Sequence, residues 1–108
     1  MPYQVKLTHD AARDLEEISH YIDRHDSLAR ADHVLRRIER AFQGLSEHPH
    51  RGSFPRELLN IGIREYREVF FKPYRIIYRV IDDTVYVLLI ADGRRDMQTL
   101  LQRRLLEP

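Results

Sequence analysis

Four arginines are the side chains of this 108-residue sequence best suited to binding chemistry. Arg75 and Arg79 alternate with isoleucines in an apolar run, and Arg94-Arg95 follow the next apolar run in the segment ADGRRD. Guanidinium groups held on rigid strands suit bidentate recognition of phosphate or carboxylate. The competing interpretation, which spacing alone favours, is a set of structural salt bridges to the carboxylates Asp92, Asp96, Glu65 and Glu68.

The order of the two runs predicts where these arginines lie. If residues 74–81 and 84–91 pair as antiparallel strands, the start of the first lies beside the end of the second. Arg75 would then converge with Arg94 or Arg95 at one edge of the sheet. A second adjacent pair, Arg103-Arg104, stands near the end of the chain.

Several other kinds of active or binding site are excluded because the sequence lacks the residues that they need. The sequence has no Cys, so a thiol nucleophile and a Cys-ligated metal are excluded. The six His all lie in the first half without metal-site spacing, and His48-Pro49-His50 is interpreted as a surface turn. No GxSxG, P-loop or GxGxxG motif is present. We therefore expect neither a metal nor a cofactor, and we interpret the acidic residues at the start of the first helix as a solvated face: Asp10, Asp14, Glu16 and Glu17.

Charge and length restrict the class of protein further. The 18 Lys+Arg and 17 Asp+Glu give a net charge of +1, which argues weakly against autonomous nucleic-acid binding. The length is typical of one small domain over residues 1–108. The N-terminus lacks a signal-peptide core and no apolar run is long enough to cross a bilayer, so we expect a cytoplasmic protein.

Periodicity predicts the first half of an α+β fold. Tyr3, Val5 and Leu7 alternate with polar residues as in a strand, and Thr8 is a suitable N-cap for a helix over 9–25. A second helix follows Asp26-Ser27, and residues 48–62 form an ordered loop. The two helices are expected to form a hairpin that packs on the sheet through Leu15, Ile18, Ile22, Val34, Ile38, Phe42 and Leu45.

The second half predicts a three-stranded antiparallel meander over residues 63–71, 74–81 and 84–91, then a short helix capped by Asp96. Alternation in the last strand places Val85, Val87 and Leu89 on one face and Tyr86, Leu88 and Ile90 on the other. The middle strand has a mixed face, on which Ile77 and Ile81 alternate with arginines. We expect part of that face to be exposed to water or to a partner.

These features together resemble the RelE/ParE superfamily of bacterial toxins, most closely its ParE branch. The resemblance spans nearly the whole chain. It depends on the order of the elements, on VKLT followed by AARDL, on the turn PHRG, and on YRIIYRV followed by GRRD.

The resemblance implies the toxin of a type II toxin–antitoxin pair, blocked by a cognate antitoxin. ParE-like members inhibit DNA gyrase, whereas RelE-like members enter the ribosome and cleave mRNA. In the RelE branch, basic residues matching Arg75 and Arg95 stabilise the phosphate and a C-terminal Tyr assists proton transfer. The matching position here is Leu101, so no proton carrier stands there.

The sequence therefore predicts a gyrase inhibitor without confident catalytic residues, and the alternative is a ribosome-dependent mRNA endoribonuclease. We expect Arg75, Arg94 and Arg95 to contact the target. We expect Ile77, Arg79 and Ile81 to contact the antitoxin. If Arg75 pairs with a carboxylate instead, its loss would destabilise the protein rather than only reduce its toxicity.

Overall fold

The computed structural model describes residues 2–107. Its strands are β1 (Gln4–Leu7), β2 (Arg67–Phe71), β3 (Tyr74–Ile81) and β4 (Thr84–Asp92). Its helices are α1 (His9–His25), α2 (Leu28–Gln43), the single-turn α3 (Arg56–Leu59) and α4 (Met97–Leu101), and a π turn over Gln102–Leu106 follows α4. The predicted α+β order of strand, helical hairpin, three-stranded meander and short C-terminal helix is confirmed.

Side-chain caps separate the two long helices. The Thr8 hydroxyl accepts a hydrogen bond from the Ala11 amide at 3.1 Å and begins α1 at the predicted residue. The Ser27 hydroxyl accepts one from the Arg30 amide at 3.0 Å and begins α2. Each cap satisfies an amide that has no partner within its own helix, so the chain reverses in the short turn between the helices.

The hairpin covers one face of the sheet, as its apolar stripes predict. Ala11 and Leu15 of α1 and the apolar stripe of α2 form one buried cluster with residues of β3 and β4, among them Ile76 and Val87. Five of the seven core residues expected from the stripes are buried, whereas Ile18 and Ile22 are partly buried at the margin of this cluster.

The sheet has the order β1-β4-β3-β2, with β1 parallel to β4 and the other neighbours antiparallel. β4 is therefore an inner strand. It is also covered on both sides: the hairpin lies on one face, and α3 and α4 contribute to a second cluster on the other. An inner strand covered on both faces was predicted from its continuous apolar sequence.

A β-bulge changes the predicted faces of β4. Ile77 of β3 pairs with Leu89, but the next residue, Tyr78, pairs with Val87, so Leu88 is the extra residue. The bulge reverses the alternation after that point. Leu89 therefore lies in the second cluster and Ile90 under the hairpin, and the predicted placement of these two side chains is wrong.

The loop and the first strand of the meander also differ from expectation. α3 interrupts the predicted loop, because Pro55 begins one helical turn that buries Leu58. A four-residue helix is too short to show a 3.6-residue period in sequence. β2 begins at Arg67 rather than at Ile63, since Ile63 and Tyr66 pack in the second cluster instead of entering the strand.

Gly52 lies where the loop before α3 contacts the sheet. Its amide donates a hydrogen bond to the Tyr78 hydroxyl at 3.0 Å, and its carbonyl accepts one from Arg67 at 2.8 Å. A Cβ atom at this position would lie 2.6 Å from both the Glu68 carbonyl oxygen and the Tyr78 hydroxyl. Only glycine permits so close an approach without movement of the strands.

Substitution Gly52→Ala should lower the free energy of unfolding by about 2 kcal/mol, because the strands must separate to admit the methyl group. Gly44→Ala is the matched control, since a Cβ there meets Arg51 at an ordinary 3.7 Å. Urea denaturation of the two variants measures the difference. Equal stabilities would contradict this account of Gly52.

Candidate functional site

Arg75 is the centre of a partly buried charge cluster. Its Nε donates to Glu68 at 2.7 Å, and its Nη1 and Nη2 donate to the two carboxylate oxygens of Glu57 at 2.8 Å each. Only 13% of the Arg75 side chain and 7% of the Glu68 side chain are exposed. The guanidinium group is thus engaged on both of its edges by carboxylates.

The two carboxylates that pair with Arg75 have pKa values shifted in opposite directions. The hydrogen bonds from Arg75 lower the pKa of Glu57, whereas burial raises the pKa of Glu68. The hydrogen bond to Glu57 is the main cause that raises the pKa of Arg75. With both carboxylates ionised, the cluster carries one net negative charge and has no guanidinium edge available for an anion.

The salt-bridge alternative is therefore confirmed for two of the four carboxylates expected to pair with the arginines: Asp92 pairs with Arg94, and Glu68 pairs with Arg75. Asp92, Asp96 and Glu65 are not among the ion pairs of Arg75 in the described residues 2–107. The other partner of Arg75 is Glu57 of α3. Sequence reasoning missed Glu57 because it lies in the segment that was interpreted as loop.

Arg94 and Arg95 occupy the turn between β4 and α4. Arg94 donates to both carboxylate oxygens of Asp92, at 3.0 and 2.6 Å, yet 80% of its side chain is exposed. The hydrogen bond from Arg94 also lowers the pKa of Asp92. Arg95 is exposed at the residue before the Asp96 cap of α4.

The predicted approach of Arg75 to the turn after β4 is confirmed, but the arginines have different ion-pair partners. The stem of Arg75 does meet the turn after β4, since a Cβ on Gly93 would lie 2.8 Å from the Arg75 Cδ. Its guanidinium group, however, pairs with Glu57 and Glu68, and that of Arg94 pairs with Asp92. The strand register brings the backbone of Arg75 close to the end of β4, but it does not determine which carboxylates the arginine side chains contact.

Arg95 lines an open groove of about 600 Å³ at the start of α4. The groove carries charges of both signs, and its polar and charged lining comprises Asp10, Arg95, Asp96, Thr99, Arg103, Arg104 and Glu107. Asp96 caps α4, and hydrogen bonds from Thr99 lower its pKa. Arg103 is a further exposed basic side chain that lines this groove.

Arg104 has a structural role that its sequence position does not reveal. Its two terminal nitrogens donate to the Asp14 carboxylate at 2.8 and 2.9 Å, and Nη1 also donates to the Leu88 carbonyl at 3.0 Å. Asp14 accepts a further hydrogen bond from the Ile90 amide at 3.0 Å. Asp14 is therefore not part of a solvated acidic face, and that interpretation is wrong for this residue.

The mixed face of β3 is divided between burial and exposure. Ile77 is fully buried in the cluster that contains Met97 and Leu101 of α4, so its expected exposure is wrong. Ile81 is 44% exposed, and the Arg79 guanidinium lies 5.7 Å from the ring centroid of Tyr66. Arg79 and Ile81 line a groove of about 260 Å³, with Thr8, Tyr66, Tyr86, Leu88, Arg104 and Leu105.

The position of a proton carrier in the RelE branch is apolar here. Leu101 is 1% exposed and packs in the second cluster with Leu58 and Met97. Over residues 2–107, no group of three or more His, Asp or Glu could hold a metal ion. None of the helices in this range is long and apolar enough to cross a membrane.

Comparison with known proteins gives the family. The model of the family described as "ParE toxin of type II toxin-antitoxin system, parDE" matches residues 5–97. The chain belongs to the ParE toxin family. It is 29% identical over 101 residues to Toxin ParE3 of Caulobacter vibrioides, which covers 94% of this chain and 97% of that protein. The resemblance inferred from the sequence motifs is confirmed, and the protein is a toxin of a type II toxin–antitoxin system.

Solved structures share the fold of this toxin. The chromosomal ParDE toxin–antitoxin system from P. aeruginosa superposes with a TM-score of 0.70 at 18% identity, over 83% of this chain and 95% of that one. The RelBE2 toxin–antitoxin complex from Mycobacterium tuberculosis superposes with a TM-score of 0.57 at 30% identity, over 85% and 92%. The fold is therefore common to the ParE and RelE branches, and the choice between their activities depends on the side chains.

Loss of Arg75 should destabilise the toxin strongly. Arg75→Met leaves two carboxylates without their cation, one of them buried, and should cost about 3 kcal/mol. The exposed pair Arg36–Asp32 is the matched control, because removing a surface partner by Arg36→Met should cost about 0.5 kcal/mol or less. Adding Glu68→Gln to Arg75→Met should recover part of the loss. Chemical denaturation measures the free energy of unfolding of all three variants. Equal losses from Arg75→Met and Arg36→Met would contradict a structural role for Arg75.

The Arg75 cluster also predicts a dependence of stability on pH. Because the pKa of Glu57 is lowered by folding, its contribution is present above its ordinary value of 4.5 and is lost as the pH falls through the folded pKa. The stability difference between the wild type and Glu57→Gln should thus be constant near neutral pH and shrink below about pH 4. Denaturation across this range measures it. The wild type should instead gain stability relative to Glu68→Gln as the pH falls, since folding raises the pKa of Glu68.

Proposed function

We propose that this toxin inhibits DNA gyrase by binding to it and that it does not cleave RNA. The observation that carries the proposal is the pairing of Arg75 with Glu57 and Glu68. A nuclease that used Arg75 would need its guanidinium group to meet the negative charge that develops on the phosphate. Here both of its edges are occupied by carboxylates, so the local charge repels a phosphate instead of attracting it.

The apolar side chain at the position of the RelE-branch tyrosine is consistent with this choice. Cleavage of RNA through its own 2′-OH needs a general base and a general acid within hydrogen-bond reach. Leu101 can serve as neither. Asp92 is held ionised by Arg94, which makes it a weak base at neutral pH. An mRNA endoribonuclease therefore remains the second candidate, and it is supported only by the shared fold.

The gyrase contact is assigned to Arg94 and Arg95. Both are exposed, and Asp92 and the cap of α4 fix the backbone on which they stand. A charged side chain held in one direction loses little conformational freedom on binding, so it contributes more to affinity than a mobile one. Arg103 lines the same groove as Arg95 and extends this basic contact.

The antitoxin contact is assigned to the groove that Arg79 and Ile81 line. An exposed isoleucine beside an arginine suits a partner with an apolar side chain next to a carboxylate. Ile77 supports this surface from beneath α4 instead of touching the partner. We place the toxin in the cytoplasm, where gyrase acts.

A supercoiling assay with purified gyrase, beside an mRNA cleavage assay in a translating extract, tests the proposal. The toxin should inhibit supercoiling and leave mRNA intact. The double charge reversal Arg94→Glu, Arg95→Glu should raise the inhibitory concentration about tenfold or more, because two attractive charges become repulsive.

The matched control reverses two other exposed arginines, Arg40 and Arg64, and should change inhibition by less than about twofold. All variants must melt at the wild-type temperature and bind the antitoxin. Cleaved mRNA with unaffected supercoiling at the same toxin concentration would promote the endoribonuclease instead.

A further inference from the structure

One flank of α2 presents basic side chains toward β2, an edge strand of the sheet. Arg30 and Arg37 are separated by close to two helical turns, so they lie on the same side of the helix. The Arg37 guanidinium lies 5.1 Å from the ring centroid of Phe71, the last residue of β2. Burial raises the pKa of the Tyr74 hydroxyl, and Arg30 is one of the cations that lower it. Because Tyr74 pairs with Phe71, both arginines stand over the same end of the β2–β3 pair.

Two further arginines extend this surface along β2. Arg51 donates a hydrogen bond from Nη2 to the carbonyl of Ala41, one helical turn after Arg37, at 3.3 Å. Arg67, the first residue of β2, donates to the Gly52 carbonyl at 2.8 Å. Because Gly52 follows Arg51 directly in the chain, these two arginines are neighbours. The four basic residues between α2 and β2 are called the basic strip: Arg30, Arg37, Arg51 and Arg67.

The positive charge of the basic strip is not paired. Over residues 2–107, none of its four arginines forms an ion pair. The two acidic residues of α2 have other surroundings, since Asp32 pairs with Arg36 and Glu39 lines the groove between the two long helices. The strip is therefore a local excess of positive charge on a chain whose net charge is only +1.

The composition of the strip favours a polyanion over a protein partner. Protein interfaces are centred on exposed aromatic and aliphatic side chains. The exposed apolar side chains of α2 and β2 lie elsewhere: Leu28 lines the groove between the helices, and Phe70 alternates with Phe71 and projects from the opposite face of the sheet. Arginines without an apolar centre are suited to the successive phosphates of a nucleic acid.

The aromatic rings of the strip distinguish a duplex from a single strand. The guanidinium of Arg37 covers Phe71, and that of Arg67 lies 4.5 Å from the ring centroid of Phe54. Phe71 also packs against the core cluster. Single strands are held by bases that stack on open aromatic faces, and these faces are occupied. A duplex needs only cations along its backbone, so the strip suits a duplex.

We propose that the basic strip binds the phosphate backbone of duplex DNA without reading its sequence. About four phosphate contacts make this binding much weaker than that of a protein with six to ten contacts, in agreement with the small net charge of the chain. The choice of DNA over another duplex rests on the proposed function, because gyrase works on duplex DNA. The contact itself requires no gyrase.

Fluorescence anisotropy with a labelled duplex of about 20 base pairs tests binding by the purified toxin without gyrase. The logarithm of the association constant should fall linearly with the logarithm of the salt concentration. Four contacts predict a slope of about −3.6, since each neutralised phosphate contributes about −0.9. The affinity should thus decrease about a hundredfold between about 50 and 200 mM salt.

The variant Arg30→Gln, Arg37→Gln should reduce the slope to about −1.8, because it removes two of the four cations. Both positions are exposed, and Gln has nearly the helix propensity of Arg, so we expect the fold to be retained. Arg13→Gln, Arg64→Gln is the matched control, since it removes the same charge at exposed positions outside the strip and should leave the slope unchanged. Should the strip variant melt early, Arg51→Gln replaces it and should reduce the slope by about 0.9.

An unchanged slope in the strip variant, an equal decrease in the control, or no binding at about 50 mM salt would overturn the proposal. Tighter binding of a single strand of the same length would also overturn it. Displacement of the labelled duplex by polyglutamate as effectively as by unlabelled duplex would do the same, and would indicate an acidic protein partner.

The supercoiling assay separates this inference from the gyrase assignment. Failure to bind the free duplex with supercoiling still inhibited would overturn the inference and leave the gyrase assignment intact. Duplex binding that depends on the strip, with supercoiling unaffected, would support the inference and contradict the gyrase assignment.

Discussion

The architecture of this toxin depends on the burial of β4. The strand extends over nine residues, but its parallel neighbour β1 has only four, so the edge of β4 beyond Val87 has no strand beside it. Asp14 and Arg104 fill that gap: one accepts from the Ile90 amide and the other donates to the Leu88 carbonyl. Because unpaired backbone groups are costly when buried, these two side chains replace the missing strand. They also tie α1 to the end of the chain.

The same chemistry, a guanidinium group against carboxylates, has a different consequence at each arginine. Arg104 supports the backbone of β4, Arg75 joins α3 to the sheet, and Arg94 is oriented in solvent by Asp92. Burial decides the difference, since a partly buried arginine needs its partners whereas an exposed one can exchange them for a new partner. The exposed arginines are thus the ones available for target binding.

Much of the fold could be predicted from the sequence because its signals are local. Thr8 and Asp96 cap their helices as expected, and the apolar periods identify the hairpin and the meander. The bulge at Leu88 could not be predicted, since both faces of β4 are apolar and no residue shows where the alternation changes. Glu57 could not be found as the partner of Arg75, because their contact joins residues 18 positions apart through a single helical turn. The exposure of Ile81 could be predicted from the alternation of β3. The burial of Ile77 could not, because it depends on the position of α4 over the sheet.

Charge is distributed unevenly over this nearly neutral chain. The net charge of +1 conceals local differences: Arg94 and Arg95 stand together in the turn after β4, whereas Glu16, Asp23 and Glu39 lie along the helical hairpin. Because potentials over a surface follow local charges rather than their total, each surface selects a partner of opposite sign. A partner that binds at the turn of Arg94 and Arg95 and a partner that binds along the hairpin therefore need not compete for the same residues. An antitoxin that blocks a target contact at the turn of Arg94 and Arg95 must therefore either cover that turn or hold the toxin in a conformation that the target cannot accept.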